Sequence, residues 1–234
     1  MRRLIVTATI RLLLKIVVRV RAPGIDRVPR SGPLIIAVNH INFLEVPLIY
    51  TLLRPRRVIG IAKAETWENR LLRLIADEWE AIPIHRAAAD TAAFRRAEEE
   101  LRRGAIVVIA PEGSRSGDGI LRRGHAGVVT LAAKTGAPVL PMAHFGGEQV
   151  WACWRRVRRP VVTVRVGSPI WIRSGVVRTT GPSCERGRMP SRTERDRLLR
   201  HVMAGIARLL PERYRGEYGP AVEAGSGGPG LRTP

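Results

Sequence analysis

The sequence predicts a single α/β domain in which a mixed, largely parallel sheet is flanked by helices. Three observations predict it: short apolar runs alternate with longer helical patterns, no internal repeat is present, and 45% of the 234 residues are hydrophobic. Such alternation is typical of parallel sheets with helical crossovers, and a chain of this length can bury a core without disulfides or metals. We expect an amphipathic segment at 1–19, the domain at 20–219 and a disordered tail at 220–234.

Each predicted strand is a short apolar run of the kind that is buried on both faces of a sheet. These runs are Leu34–Val38, Val58–Ala62, Ala81–Ile84, Ala105–Ala110, Val139–Ala143 and Val161–Val166. Helical patterns lie at about Phe43–Leu53, Thr66–Glu78, Ala87–Arg102, Gly127–Lys134 and Thr193–Leu210. The segment 174–192 combines Gly, Pro, Ser and Arg without periodicity and predicts a loop, and the Gly/Pro-rich residues 221–234 predict disorder.

The first 19 residues predict an amphipathic helix. A helix would place a stripe of Arg3, Thr7, Arg11, Lys15 and Arg19 opposite the apolar residues Leu4, Ile5, Leu12, Leu13 and Ile16. Such a helix suits the surface of an anionic bilayer, and the alternative is an ordinary helix packed on its own domain. Residues 16–20 could equally form the first strand.

Composition argues against several classes of protein. No uninterrupted apolar run of 18 residues is present, so an ordinary membrane span is not expected. Arg11 and Lys15 interrupt the apolar N-terminus and no small-residue cleavage site follows, which argues against a signal peptide. Cys153 and Cys184 are far apart and in no C-x-x-C pattern, which argues against a disulfide framework or a zinc site and favours a reducing compartment.

The chain is strongly basic, with 40 Lys and Arg against 20 Asp and Glu and a formal net charge of +20. A positive field of this size favours polyanions, namely nucleic acid, an anionic membrane surface or a phosphorylated substrate. Nearly all of the basic residues are arginine, so a general preference for arginine over lysine is an alternative explanation. That preference would not explain the shortage of acidic residues.

A first candidate site follows the run Leu34–Val38, where residues 39–45 read NHINFLE. A histidine beside a carboxylate is the basic unit of general-base catalysis. Residues five apart on one helix point about 140° away from each other, so His40 and Glu45 can meet only if a turn separates them. The alternative is that Asn42 and Glu45 form a capping box, in which Glu45 serves only the backbone.

A second candidate site follows the run Ala105–Ala110, where residues 111–119 read PEGSRSGDG. Backbone N–H groups and one guanidinium in such a loop can bind phosphate oxygens together. The loop lacks the Gly-Lys-Ser/Thr of a Walker motif and the central serine of a nucleophile elbow. Lys63 and Arg86 each lie directly after a strand and could face the same crevice. The alternatives are a solvent-exposed turn and ordinary solvated basic residues.

Together these blocks resemble the 1-acyl-sn-glycerol-3-phosphate acyltransferases and related lysophospholipid acyltransferases. The resemblance lies in NH at 39–40 with an acid at 45, KAE at 63–65 with IPIHR at 82–86, APEGSRS at 110–116 and APVLP at 137–141. The order and spacing of the blocks agree with that family from about Val20 to Gly146. A fainter likeness continues in LPERYRG at 210–216.

The resemblance implies transfer of a fatty acyl group from acyl-CoA or acyl-carrier protein to a lysophospholipid hydroxyl, above all that of 1-acylglycerol 3-phosphate, giving phosphatidic acid. His40 would be the general base and Glu45 would orient it. The acceptor's glycerol phosphate would be bound by Lys63, Arg86, Glu112, Gly113, Ser114 and Arg115. No metal or further cofactor is expected, because a thiolate is a good leaving group. The enzyme would associate peripherally with the cytoplasmic face of an anionic membrane.

Two positions depart from the family's usual pattern. Glu45 stands where aspartate is usual, and Ser114 stands where threonine is commoner but keeps the hydroxyl. Loss of chemistry through the change to Glu45 is one alternative, which would leave a non-catalytic membrane-surface protein. The other is a nucleic-acid-binding protein, suggested by the four arginines of 155–159 near Trp151 and Trp154. The sequence disfavours nucleic acid, because it contains no recognised nucleic-acid-binding motif.

Overall fold

The computed structural model describes residues 2–85, 90–173, 176–178 and 189–220, and within them a seven-stranded sheet has helices on both faces. The strands of this sheet are β1 (Arg19–Arg21), β2 (Leu34–Val38), β3 (Val58–Lys63), β4 (Ile82–Ile84), β5 (Ile106–Ile109), β6 (Val139–Phe145) and β7 (Val161–Val166). Their spatial order is β1-β7-β6-β2-β5-β3-β4, and every neighbouring pair is parallel except β6 and β7. The predicted mixed, largely parallel sheet is confirmed.

Most helices begin and end close to the predicted positions. In the described part of the chain they are α1 (Arg2–Val17), α2 (Glu45–Leu52), α3 (Arg70–Glu78), α4 (Thr91–Arg102), α5 (Gly127–Thr135), α6 (Val150–Arg155) and α7 (Arg192–Leu209). Polar side chains cap three of them at the N-terminus: Asn69 accepts from the N–H groups of Leu71 and Leu72, Asp90 accepts from the Ala93 N–H, and Ser191 forms a capping box with Glu194. The short helix α6 was not predicted, because six residues give too little periodicity to recognise.

The core lies on both faces of the sheet. Every residue of β2 is buried, and alternate side chains enter different clusters. Ile35 and Ala37 pack with residues of α4, α5 and α7, while Leu34, Ile36 and Val38 pack with residues of α1, α2 and α6. A strand buried on both faces needs apolar residues at every position, which explains the uninterrupted LIIAV of the sequence.

One edge of the sheet collects the loops that carry polar side chains. Strands β2, β3, β5 and β6 are parallel, so their carboxyl ends meet at the same edge. Loops at 39–44, 110–126 and 146–149 start from three of these ends. Ligand sites of open α/β sheets lie at this edge, so the fold brings both candidate loops together.

Helix α1 packs against the domain with one face and exposes the other. Leu14 and Val18 are buried in the core, and the Thr7 hydroxyl accepts a hydrogen bond of 3.2 Å from Trp79 Nε1. Thr7 therefore lies in the interior, and the predicted polar stripe is not one continuous solvent face. The predicted apolar side is exposed, at Ile5, Leu12, Leu13 and Ile16. Helix α1 thus packs on its own domain with one face and exposes a row of apolar side chains on the other.

Two side chains from the α6 region join the end of α1 to the domain. Trp154 Nε1 donates to the Val17 carbonyl at 3.0 Å. The Arg159 guanidinium donates to the carbonyls of Lys15 and Val18, the latter at 2.9 Å. The chain then continues into β1 at Arg19, so residues 16–20 are divided between a helix and a strand.

Of the two segments predicted to lack regular structure near the C-terminus, one contains a short strand and the other lies outside the described residues. Within the predicted loop 174–192, Val176–Arg178 form a strand (β9) that pairs antiparallel with β8 (Trp171–Arg173). A three-residue strand is too short to show a period in the sequence. Residues 221–234, predicted to be disordered, lie outside the described residues. Among the helices that are described, none has the length and hydropathy needed to cross a bilayer.

Candidate active site

His40 and Glu45 form a pair at the carboxyl end of β2. His40 lies two residues beyond the strand, and Glu45 is the first residue of α2. Nδ1 of His40 contacts Oε1 of Glu45. The imidazole is 17% exposed and the carboxylate 4%. The intervening turn brings together two side chains that one continuous helix would direct apart.

The second oxygen of Glu45 serves the backbone. Oε2 accepts hydrogen bonds from the N–H groups of Ile41, at 2.9 Å, and Asn42, at 3.2 Å. The capping interpretation is therefore correct in part, although α2 has Leu44 at its N-cap and no side-chain cap there. One carboxylate performs both tasks, and the backbone bonds fix its orientation toward His40.

His144, which the sequence analysis missed, lies against the same carboxylate. Its Nε2 is 2.8 Å from Glu45 Oε2 and 2.9 Å from the Asn39 carbonyl oxygen. The Asn39 side chain holds the His144 backbone through two hydrogen bonds of 2.9 Å. Burial lowers the pKa of His144 to about 4, so the ring is neutral at pH 7 and donates from Nε2. The one available signal was a lone histidine in the buried strand VLPMAHF.

The buried carboxylate of Glu112 links the loop that carries His40 to the loop at 110–126 through hydrogen bonds. Its Oε1 accepts from the His40 N–H at 2.6 Å, and its Oε2 accepts from the Arg122 N–H at 2.7 Å. The side chain is buried, and burial raises its pKa even though both N–H groups act to lower it. Both oxygens accept from backbone N–H groups, and binding of the acceptor by Glu112 stays a prediction. The geometry gives Glu112 an internal role in positioning His40.

Gly113 is a glycine for a steric reason. Its φ of 67° is left-handed, and a Cβ there would lie 3.3 Å from Cδ2 of His125. Its N–H donates to the Ala110 carbonyl at 3.0 Å, which closes the turn. The N–H of Ser116 donates to the His40 carbonyl at 2.7 Å, so the loop is attached directly to the His40 segment.

Three of the predicted basic and hydroxyl residues lie within the described residues, and all three are exposed. Ser114 and Arg115 are exposed on the loop that is attached to His40. Lys63 is exposed at the end of β3, with Nζ 3.5 Å from Glu65 Oε1. Arg86 lies outside the described residues.

A cavity of about 1100 Å³ opens beside the Ser114–Arg115 loop. Its walls are parts of the loop 112–126, of helix α7 and of the segment 217–218. Among the described residues, no group of three or more His, Cys, Asp or Glu side chains could hold a metal ion.

The fold and the site are those of an α/β protein with a histidine–carboxylate pair at the carboxyl edge of its sheet. The chain belongs to the acyltransferase family, because the family model described as Acyltransferase matches residues 19–144.

Several proteins of this kind are similar in sequence. The chain is 32% identical over 131 residues to a chloroplastic 1-acyl-sn-glycerol-3-phosphate acyltransferase of Brassica napus, which covers 54% of this chain and 37% of that protein. It is 25% identical over 146 residues to the 1-acyl-sn-glycerol-3-phosphate acyltransferase of Bacillus subtilis, covering 62% and 70%. It is 28% identical to the lyso-ornithine lipid O-acyltransferase of Pseudomonas aeruginosa, covering 49% and 43%. The chain thus matches little more than a third of the plant relative's length.

A solved structure has the same fold. The crystal structure of the 1-acyl-sn-glycerophosphate acyltransferase PlsC from Thermotoga maritima superposes with a TM-score of 0.62. The alignment covers 97% of this chain and 83% of that one at 22% identity. The similarity extends across the whole sheet and its helices, which agrees with the predicted fold class.

Proposed function

We propose that this chain transfers a fatty acyl group from an acyl thioester to the free hydroxyl of 1-acylglycerol 3-phosphate, giving phosphatidic acid. The thioester is that of acyl-CoA or acyl-carrier protein. The observation that carries the proposal is the His40–Glu45 pair, attached through backbone hydrogen bonds to the loop that presents Arg115. Membership of the acyltransferase family and the names of the relatives support it.

His40 is the general base in this proposal. With Nδ1 donating to Glu45, the ring presents Nε2 as its basic nitrogen. Nε2 takes the proton of the acceptor hydroxyl as the hydroxyl oxygen attacks the thioester carbonyl carbon. The tetrahedral intermediate then expels the thiolate by breaking the C–S bond, and the imidazolium returns the proton to sulfur. The Glu45 carboxylate stabilises the imidazolium and fixes its tautomer.

Arg115 is the proposed ligand of the acceptor's phosphate. A guanidinium can bind two phosphate oxygens at once, and Arg115 is exposed on a loop attached to His40. Ser114 adds a hydroxyl beside it, and Lys63 and Arg86 remain proposed contributors of positive charge. Gly113 and Glu112 act indirectly, by shaping the turn and by holding the His40 backbone.

Peripheral contact with the cytoplasmic face of an anionic membrane is part of the proposal, because the acceptor is a lipid. The exposed apolar row of α1 is flanked by the exposed Arg11 and Lys15. Helix α3, which contacts α1, exposes three leucines, Leu71, Leu72 and Leu74. An apolar surface beside basic residues binds the boundary between headgroups and acyl chains.

The test is thiol release from a long-chain acyl-CoA, and from the matching acyl-carrier protein, with and without lysophosphatidate. We expect acceptor-dependent release that falls about 10²–10⁴-fold in His40→Ala. His201→Ala, which removes an exposed histidine of α7, is the matched control and should retain activity. Urea unfolding of each variant checks that the fold is kept. Full activity of His40→Ala would refute the mechanism, and no release by the wild type with any lysolipid and either donor would refute the proposed function.

A further inference from the structure

The cavity beside the Ser114–Arg115 loop contains more arginines than one phosphate requires. Four arginines line it, namely Arg115, Arg122, Arg123 and Arg200. Arg115 is the proposed ligand of the acceptor's single phosphate, and Arg200 comes from helix α7, far from the other three in sequence. The additional arginines call for a further anionic ligand.

Three of these four guanidinium groups are outside any ion pair in the described part of the chain. Arg122 forms an ion pair of 2.8 Å with Asp118. Within the ranges that the structure describes, Arg115, Arg123 and Arg200 form no ion pair. Like charges that share one cavity repel each other, and an anionic ligand that binds between them relieves that repulsion. An array of several cations fits a ligand with several phosphates.

The size and the remaining walls of the cavity indicate what carries those phosphates. Sites for cofactors and other small molecules commonly occupy roughly 300–1,000 Å³. The volume of about 1100 Å³ is therefore ample for a nucleotide. Three carboxylates line the cavity, namely Glu112, Asp196 and Glu217. The oxygens of Glu112 accept from backbone N–H groups, while Asp196 and Glu217 can accept hydrogen bonds from amino or hydroxyl groups and Leu199 adds apolar surface. A nucleotide presents all three kinds of group, whereas inorganic phosphate presents only one.

We propose that Arg123 and Arg200 bind the phosphates of the adenosine 3′,5′-bisphosphate portion of an acyl-CoA donor. This inference rests on the proposed function and selects CoA over carrier protein as the donor. The cavity includes Arg115, whose loop is bonded to the His40 carbonyl through Ser116. A pantetheine arm that leaves the cavity along the loop of Arg115 and Ser116 would carry the thioester toward His40. The acceptor's phosphate at Arg115 and the donor's phosphates at Arg123 and Arg200 would then approach the base together.

Binding is tested first, because it does not depend on turnover. Calorimetric titration with CoA and with adenosine 3′,5′-bisphosphate is made on the wild type and on Arg123→Ala/Arg200→Ala. We expect the double variant to bind both probes about 10-fold more weakly or worse, since hydrogen bonds to charged groups are lost. Arg95→Ala/Arg96→Ala, which removes two exposed arginines of α4 outside the cavity, is the matched control and should bind as the wild type does. Equal binding by wild type and double variant would overturn the inference.

Steady-state kinetics then separates donor from acceptor. The double variant should raise KM for acyl-CoA about 10-fold while KM for lysophosphatidate stays within about twofold. A rise confined to the acceptor's KM, or a rise seen only with acyl-carrier protein as donor, would overturn the inference and leave the proposed acyl transfer intact. A third outcome is that the wild type binds CoA, the double variant binds it more weakly, and the wild type shows no acyl transfer. That outcome would support the nucleotide site and refute the proposed function.

Discussion

Oε2 of Glu45 lies 2.8 Å from Nε2 of His144, while Oε1 of the same carboxylate contacts Nδ1 of His40. One carboxylate thus lies between a partly buried imidazole and a fully buried one. Because burial lowers the pKa of His144 to about 4, the buried ring adds a proton donor without adding a positive charge. The negative charge of Glu45 therefore remains available to the imidazolium that the proposed mechanism forms on His40.

Shortening Glu45 by one methylene should be costly. Glu45→Asp cannot contact His40 and keep the hydrogen bonds of Ile41, Asn42 and His144 at the same time. We expect kcat to fall about 10²-fold, the cost typical of misplacing a catalytic group by about 1 Å. The measurement is kcat and both KM values, with the exposed Glu212→Asp as control. A wild-type kcat in Glu45→Asp would show that the glutamate's length does not matter.

The buried His144 should make stability depend on pH. Its folded-state pKa is about 4 against 6.5 for the free side chain, so the unfolded chain binds the proton more readily between these values. The free energy of unfolding should therefore be fully retained above pH 6.5 and decrease as the pH falls toward 4. Lowering the pH from 7.5 to 5 should therefore reduce the free energy of unfolding by about 2 kcal/mol through His144.

Urea unfolding at these two pH values measures the effect. His144→Leu should lose this part of the pH dependence, whereas His201→Leu, on the exposed side of α7, should keep it. Glu45, Glu112 and Glu148 are the carboxylates that act on His144, and all three are unchanged in both variants. The same slope in both variants would contradict the assignment.

Glu112 should act through the backbone. Glu112→Gln replaces one acceptor oxygen by an NH₂ group, which cannot accept from the N–H of either His40 or Arg122. We expect a loss of about 1–3 kcal/mol in the free energy of unfolding, the cost of one unsatisfied buried group. Urea unfolding at pH 7 measures it, with the exposed Glu99→Gln as control. Unchanged stability would show that the two hydrogen bonds do not hold these loops.

Arg115 should affect binding of the phosphorylated acceptor. Arg115→Ala should raise KM for lysophosphatidate about 10-fold or more and leave kcat at saturation nearly unchanged. Arg115→Lys keeps the charge but loses the planar fork, so its KM should lie between the two. Monoacylglycerol, which lacks the phosphate, is the control acceptor and should not distinguish the variants. An unchanged KM for lysophosphatidate would refute the assignment of Arg115.

The exposed row of α1 should contribute to membrane binding. Leu12→Ser/Leu13→Ser removes two exposed side chains without touching the buried Leu14. We expect about 10-fold weaker cosedimentation with vesicles of phosphatidylcholine and phosphatidylglycerol, because less apolar area is buried in the bilayer. Met189→Ser, at an exposed apolar residue elsewhere, is the control. Equal binding by both variants would assign the membrane contact to another surface.

Local patterns predicted most of the fold and one half of the site. The strand β2 was recognisable because burial on both faces requires apolar residues at every position. His40 and Glu45 were recognisable because both lie on one short turn. The contact of Glu45 with His144 was not, because it depends on the adjacency of β2 and β6, whose paired residues, such as Ile35 and Val139, lie 104 positions apart in the sequence. The hydrogen bonds that Glu112 accepts from the His40 and Arg122 N–H groups were missed for a similar reason. The sequence pattern around Glu112 indicates the loop on which it lies but not the groups that it contacts.

The two side chains that join α6 to the end of α1 decide where this protein can be shortened. A version that starts at residue 20 would leave Trp154 Nε1 and the Arg159 guanidinium without the carbonyls they now bind. It would also uncover apolar surface that Leu14 and Val18 cover. Such a truncated product should aggregate during expression. Helix α1 is thus part of the folding unit, although its exposed apolar residues resemble those of a membrane-binding segment that could be removed.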